Sequence, residues 1–589
     1  MTQASPSSRR LGISIGAVAM VVVSGAVAAY CYWPTVATDV STEQGVKPHP
    51  GWFEDVTDAW GLGFTPDPGP TGSYFMPQSV GTGAAAFDCD GDGLLDIYLL
   101  NSAGPGSPST NRLFRQTAPG RFQDVTAGSG LDLAAHCHGV AVGDVNNDGK
   151  PDLLVTGFGV LKLFLNLGGG RFGDATAGSG LANLSWGMSA AFFDYDRDGW
   201  LDLIVINYVD YDSKVDCKSP EGVQNYCGPN SFSGTASKLF RNLGRPRAAP
   251  SGATQVQQFE DTSLTSGIGK VRGPGLGVTA ADFDGDGWPD IFVSNDGQPN
   301  RLWMNQKDGS FAEEGLSRGA ALNVIGQAYA GMGIAVGDVD GDGLLDLYVT
   351  HLGSETNNLW RQGPRGQFRD RTAAAGLMAT RWRGTGFGTL MADFNNDGAL
   401  DIAVTNGKVS SGGQAKNTDL GFWETYAEKN QLFVNDGTGK FKDASPDNGV
   451  LCDYWNVGRG LVCADFDNDG APDLLVTAIG GPARLFRNVA PSRGNWLTVR
   501  AYDPQLGRDS CGAEIRVRAG GKEFVRIANQ AESYLCSGSP VAHFGLGSAD
   551  AVEWIRITWP DGAVNQTEAF PGGPANLALV LNRGKGKTP

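Results

Sequence analysis

The sequence predicts an all-β chain: a seven-bladed β-propeller followed by a small all-β C-terminal module. Three observations carry that prediction. An acidic nine-residue motif recurs seven times, each copy sits among the same four strand signatures, and alternating segments without the motif follow Asn488. Short four-stranded units repeated around an axis make a propeller, which leaves only short, protected edges.

In chain order, the first element is a targeting segment. Arg9 and Arg10 precede an uncharged apolar run over residues 11–30. About 20 apolar residues span a bilayer, and flanking arginines hold the preceding end in the cytoplasm. Residues 1–10 are therefore expected to be a cytoplasmic tail, and 11–30 a signal anchor or a signal peptide cut near residues 26–28. Residues 31–50 read as a polar linker. The body of the chain is expected outside the cytoplasm: periplasmic, on the cell surface, or secreted if the segment is removed. The membrane is a partner only through an uncleaved segment.

The propeller is expected over residues 51–490, and its acidic loops have the pattern D-x-[DN]-x-D-G-x-x-D. Positions 1, 3, 5 and 9 carry side-chain oxygens, and position 7 can offer its carbonyl. The first loop so places Asp88, Asp90, Asp92, Leu94 and Asp96; the second Asp144, Asn146, Asp148, Lys150 and Asp152. The third places Asp194, Asp196, Asp198, Trp200 and Asp202; the fourth Asp282, Asp284, Asp286, Trp288 and Asp290. The fifth has Asp338, Asp340, Asp342, Leu344 and Asp346, and the sixth Asp393, Asn395, Asp397, Ala399 and Asp401. The seventh has Asp465, Asp467, Asp469, Ala471 and Asp473. Clustered oxygens on a curled loop, with glycine at the sharp turn, suit calcium, which takes six to eight oxygen ligands. Up to seven Ca2+ are expected. An EF-hand opens in the same way but needs a glutamate at position 12; here that position holds Leu99 or a valine, such as Val155 or Val293. Each loop thus leads into a strand. No loop carries a histidine or a nucleophile, which sets catalysis by these carboxylates aside.

The other strands repeat in step. An apolar, glycine-rich strand precedes each loop ("GVAVGD", "GIAVGD"), an L-F or L-W strand follows ("NRLF", "SKLF", "ARLF"), and an F-x-D-x-T-like strand comes fourth. The chain begins with an F-x-D strand at Phe53, and the seventh repeat ends without one. The first strand is therefore expected to complete the last blade and close the ring, removing two open edges. Two insertions, near residues 207–237 and 408–429, break the period. The first holds Cys217 and Cys227, which are expected to pair in an oxidising compartment. Long loops on a rigid scaffold tend to carry binding function.

After Asn488, segments such as "AEIRVRAG" and "VEWIRITWPDG" alternate as strands, and a small all-β module is expected over residues 495–583. Cys511 and Cys536 lie in it, and the spacing leaves open whether they pair. The seven loops resemble VCBS/FG-GAP repeats, and the tail "GRDSCGAEIRVRAGG…ESYLCSGSPVAHFGLG…VEWIRITWPDG" resembles an ASPIC/UnbV domain. The combination is similar to the cartilage acidic protein family and its bacterial relatives. That resemblance implies an extracytoplasmic calcium-binding propeller and assigns metal roles to the aspartates above. It implies no reaction.

A net charge of −17, from 63 acidic and 46 basic residues, argues against nucleic acid. "HCHG" places His136 and His138 at the entrance of an innermost strand, where Met188 and Met332 occupy positions equivalent to His138. These four residues form a speculative second metal site, for a soft ion such as copper; ordinary channel lining is the plainer reading. Aromatics and arginines at other strand entrances ("SYFMP", "LSWGM", "RWRG", "DYWNVGRG") suit a partner surface as well as they suit packing between blades. No Walker loop, nucleophile elbow or zinc spacing is present. The reading favoured is a calcium-binding interaction or structural module for a protein or glycan. The alternative is an enzyme or maturation factor of secondary metabolism, with a transition-metal or substrate site at the channel mouth.

Overall fold

The computed structural model describes residues 51–218, 222–244, 257–412, 418–560 and 566–589. The expected cytoplasmic tail, apolar segment and linker (residues 1–50) lie outside them. Among the described residues, no helix is long and apolar enough to cross a membrane.

Seven four-stranded antiparallel units follow one another, as the repeats require. In each, an innermost strand runs down to the acidic loop, and the next three step outward. Blade 2 shows the pattern: Cys137–Gly143, Asp152–Gly157, Val160–Gly168 and Arg171–Asp174, each paired with the next. Its first two strands are buried along their whole length, because both faces of each blade meet a neighbour. Phe53–Asp55 pairs with Arg484–Asn488, with Phe53 opposite Asn488, so the first strand does complete blade 7.

Glycine in the innermost strands is explained by close approach. A Cβ at Gly139 would lie 2.4 Å from the Met188 carbonyl oxygen of blade 3, and one at Gly333 would lie 2.0 Å from that of Phe387 in blade 6. Only glycine lets these backbones pass.

The C-terminal module is two four-stranded sheets packed face to face. Leu497, Val499 and Phe544 of one sheet meet Ile515, Val517, Ile555 and Ile557 of the other. The module sits on the propeller face that carries the acidic loops. Arg508 donates to Asn147 Oδ1 at 2.8 Å, Arg516 to the Gly343 carbonyl at 3.1 Å, and His543 Nε2 lies 3.1 Å from the Gly470 carbonyl. A cavity of about 1050 Å3 remains between the two parts.

One stretch of the module leaves it and fills the propeller's central channel. Cys536–Ser537 adds to blade 1 as a parallel strand, with Ser537 opposite Ala85. The Val140 amide donates to the Leu535 carbonyl (3.1 Å), Leu535 N–H to Ser189 Oγ (3.2 Å), and Asn529 Nδ2 to Thr279 Oγ1 (2.8 Å). Ser533 exchanges backbone hydrogen bonds with Ile334, and its Oγ accepts from the Thr389 amide. Tyr534, at the tip, stacks edge-on against Phe387 at 4.9 Å. With Cys536 Sγ 2.7 Å from the position a Gly460 Cβ would take, the segment touches all seven blades.

Cys217 and Cys227 are joined in a disulfide. Cys511 and Cys536 are not. Cys511 Sγ donates to Gln530 Oε1, whereas Cys536 is held in the channel against the Ala84 amide, so the channel segment keeps the two thiols apart.

Candidate metal centres

All seven acidic loops close by the same turn. The position-6 glycines take φ of 82–97°, where a side chain would strain the backbone. Position 4 is also left-handed, and it holds glycine or asparagine in every loop except for Arg197. The position-1 aspartate accepts the amide of the position-6 glycine at 2.7–2.9 Å. The position-5 aspartate accepts the position-7 amide at 2.9–3.1 Å.

Position 9 is tied most firmly. Its carboxylate is 0–1% exposed in every loop. One oxygen accepts the position-2 amide at 2.9–3.3 Å. The other accepts the amide of a third-strand residue, Gln116 in blade 1 and Asn166 in blade 2, at 2.7–2.9 Å. That third-strand residue also joins neighbouring blades. Asn166, Asn242, Asn305, Asn435 and Asn488 each donate Nδ2 to the position-2 carbonyl of the preceding blade's loop, at 2.8–2.9 Å. The sequence reading passed over these residues, although the repeated asparagine after "LFR", "LFL" and "LFV" marks them.

Positions 1, 3 and 9 converge. In five loops, three carboxylates offer oxygens within 4.8 Å of one another: Asp88, Asp90 and Asp96; Asp194, Asp196 and Asp202; Asp282, Asp284 and Asp290; Asp338, Asp340 and Asp346; and Asp465, Asp467 and Asp473. Position 5 stands outside these groups. The loops at Asp144 and Asp393 have asparagine at position 3 and so hold fewer carboxylates.

The residues fit a hard cation. Oδ1 of Asp196, Asp340 and Asp467, the same position in three blades, is buried without a hydrogen-bond partner. A buried carboxylate oxygen left unpaired is costly, and a cation removes the cost. Burial also pushes up several carboxyls at positions 1 and 9, with backbone amides only partly opposing it. Asp282 rises to about 6, Asp465 to about 7, and Asp290 and Asp346 to about 8. A divalent ion would keep them ionised at neutral pH.

At the opposite end of the channel, Met188 and Met332 share one buried cluster with Trp186, Leu276, Phe387, Tyr534 and Leu535, and the His138 ring lies 5.7 Å from that of Trp186. His138 Nδ1 lies 2.9 Å from the Gly81 carbonyl, its Nε2 has no partner, and burial lowers its pKa to about 4. His136 Nδ1 meets the Ser102 carbonyl, and its ring faces Phe75 and Phe158, the latter packed against that cluster. Arg459, at another equivalent position, is fully buried. It donates to the carbonyls of Ser79, Gly407, Gly458 and Lys408 and lies 3.8 Å over the Phe387 ring. The two insertions meet nearby, with Tyr226 stacked on Trp423 at 5.9 Å.

Comparison with known proteins gives two family matches: "FG-GAP-like repeat" over residues 88–155, 144–205, 282–349 and 416–476, and "ASPIC and UnbV" over 503–588. Human cartilage acidic protein 1 is 27% identical over 338 residues, covering 55% of this chain and 47% of that protein. The Xenopus tropicalis protein of that name is 28% identical over 324 residues, covering 54% and 46%. The chain thus spans about half the length of the curated relatives it matches. Among solved structures, an Agrocybe aegerita lectin that recognises non-reducing terminal N-acetylglucosamine aligns at a TM-score of 0.37 and 16% identity, over 68% of this chain and 86% of that one. BBS1N in complex with ARL6DN aligns at 0.36 and 9%, over 76% and 99%.

Proposed function

Because the chain carries FG-GAP repeats and a C-terminal ASPIC/UnbV domain, and is homologous to cartilage acidic protein 1, we propose that it is an extracytoplasmic, calcium-stapled propeller that presents a rigid surface to a partner. The observation that carries the metal part is the set of buried, unpartnered position-3 oxygens at Asp196, Asp340 and Asp467. The ligands would be the position-1, -3 and -9 side chains, with positions 5 and 7 completing each loop. The ion would supply positive charge that pins the turn between two strands. The Cys217–Cys227 disulfide supports an oxidising compartment.

The partner surface is the face away from the C-terminal module. Leu184, Val223, Val324 and Ile325 are all 59% exposed or more and lie on connections at the strand entrances, away from the acidic loops. Exposed large apolar side chains are contact points for a partner, and they favour a protein over a glycan. The channel, where the alternative reading puts a transition metal or substrate, is occupied by Tyr534 and Leu535. Elemental mass spectrometry of the purified protein, dialysed against trace calcium, tests the metal part. Several calcium ions per chain, up to seven, are expected. A calcium-free protein would sink the proposal, and stoichiometric copper or iron would restore the enzyme reading.

A further inference from the structure

Each aspartate at position 3 of an acidic loop is met by an arginine, and among the described residues neither asparagine at that position is. In blades 1, 3, 5 and 7 the arginine follows the L-F or L-W pair on the third strand. Arg115 reaches Asp90 Oδ2 at 3.3 Å, Arg241 reaches Asp196 Oδ2 at 2.5 Å, Arg487 reaches Asp467 Oδ2 at 2.6 Å, and Arg361 pairs with Asp340 Oδ2. Blades 2 and 6 carry Leu165 and Val434 at the equivalent strand site, and their loops have Asn146 and Asn395 at position 3. Blade 4 tests the rule. It carries Met304 at the strand site yet keeps Asp284, and there Arg318 arrives from the loop after the fourth strand, 3.3 Å from Asp284 Oδ2.

We propose that Arg115, Arg241, Arg318, Arg361 and Arg487 are charge-matching and positioning residues of the metal loops, which hold the extra carboxylate in place and weaken its cation affinity. The inference rests on the calcium reading above and deepens it. The geometry supports positioning: the guanidinium takes Oδ2, while Oδ1 of Asp196, Asp340 and Asp467 stays buried and unpartnered. The side chains of Asp340 and Asp467 are only 11% and 12% exposed, so water replaces neither contact. The electrostatics follow. Four carboxylates on one turn repel one another at short range. A neighbouring guanidinium offsets that repulsion in the metal-free loop and opposes a second cation. A loop with asparagine has one carboxylate fewer and needs no such partner.

Blade 3 allows a site-specific test. Trp200 and Trp288 are the only tryptophans at position 7 of a loop, and Trp496 packs on Gly470 at position 6 of the blade 7 loop, so terbium bound in blades 3, 4 and 7 is the terbium these indoles sensitise. A Trp288→Phe, Trp496→Phe background leaves blade 3 as the reporter. In it, Arg241→Met is expected to lower the terbium midpoint about tenfold. Arg241→Lys, which keeps the charge, is expected to stay near the parent. Arg241→Met with Asp196→Asn, which gives blade 3 the pairing of blades 2 and 6, is expected to return to within about threefold of it. Calcium competition checks that terbium occupies the calcium loop, and melting curves for each variant check the fold. An Arg241→Met midpoint that is unchanged or weaker, in a folded protein that still competes with calcium, overturns this inference alone. A parent that binds neither ion overturns it together with the calcium reading. If Arg241→Met does not fold, the Lys and double variants decide: a double variant far from the parent overturns the proposal.

Discussion

Position 9 is the aspartate each loop can least spare. Its two oxygens take two backbone amides in the dry interior, whereas position 5 lies toward the rim, and Asp92, Asp148 and Asp342 there are exposed. Asp290→Ala strips the partners from the Phe283 and Asn305 amides. With chelator present, it is expected to cost about 3 kcal/mol or more, read by denaturant unfolding. Asp286→Ala in the same buffer is expected to cost under about 1 kcal/mol; equal losses would show that position 9 has no special weight. A second residue-level expectation concerns His351, which is buried between Tyr329 and Trp360. Burial lowers its pKa to about 4, partly offset by the Ala330 backbone and the Asp370 charge. The unfolded chain binds that proton first, near pH 6.5. Stability from His351 is therefore full above pH 6.5 and is lost as pH falls toward 4, by about 3 kcal/mol. His351→Gln should remove that slope, so a wild-type minus variant difference that stays flat from pH 7 to 4 would refute it. The acidic motif itself was fully legible from the sequence, because its turn is local: glycine at position 6 and glycine or asparagine at position 4 state the φ signs that the structure shows.

At the level of the element, the closing strand and the channel segment stand at opposite ends of legibility. The Phe53–Asp55 strand was readable, because a repeat missing its fourth strand at one end and owning a spare at the other has one economical solution. Phe53 packs on Phe394 at 5.4 Å, so Phe53→Ala is expected to destabilise the ring by about 3–5 kcal/mol, seen as a lower thermal midpoint. The channel segment was not readable. Its polar and apolar residues alternate with nothing in the module, because their partners are Ile334, Ser189 and Val140 of the distant blades. Tyr534→Ala is expected to cost a comparable amount and to loosen the module from the propeller, which limited proteolysis would detect as release of a C-terminal fragment. A variant as resistant as wild type would mean that the sheet contacts alone hold the module. The arginine clamp falls between these cases. Four of its five arginines were visible in "LFRQ", "LFRN" and "LWRQ", but only the register, with Leu203 opposite Phe240, places Arg241 beside the turn.

Across the whole molecule, the loops lie between the blades and the C-terminal module, so metal should couple the two. Chelation is expected to lower the melting temperature by several degrees and to make it depend on calcium concentration through mass action. An unchanged melting temperature after exhaustive chelation would leave the ring standing on packing alone.

The sequence by itself determined the repeat count, the four-stranded unit, the phase of ring closure, the acidic turns and the Cys217–Cys227 pair. Each is written in residues close along the chain or in a period, and local backbone preference and strand periodicity are enough to enforce it. Only the tertiary structure decided that the module covers the acidic-loop face, that its segment fills the channel, that Cys536 is held away from Cys511, and that the two insertions meet through Tyr226 and Trp423. Those outcomes join residues hundreds of positions apart. Shape and burial choose among many compatible partners there, and no spacing in the chain records the choice.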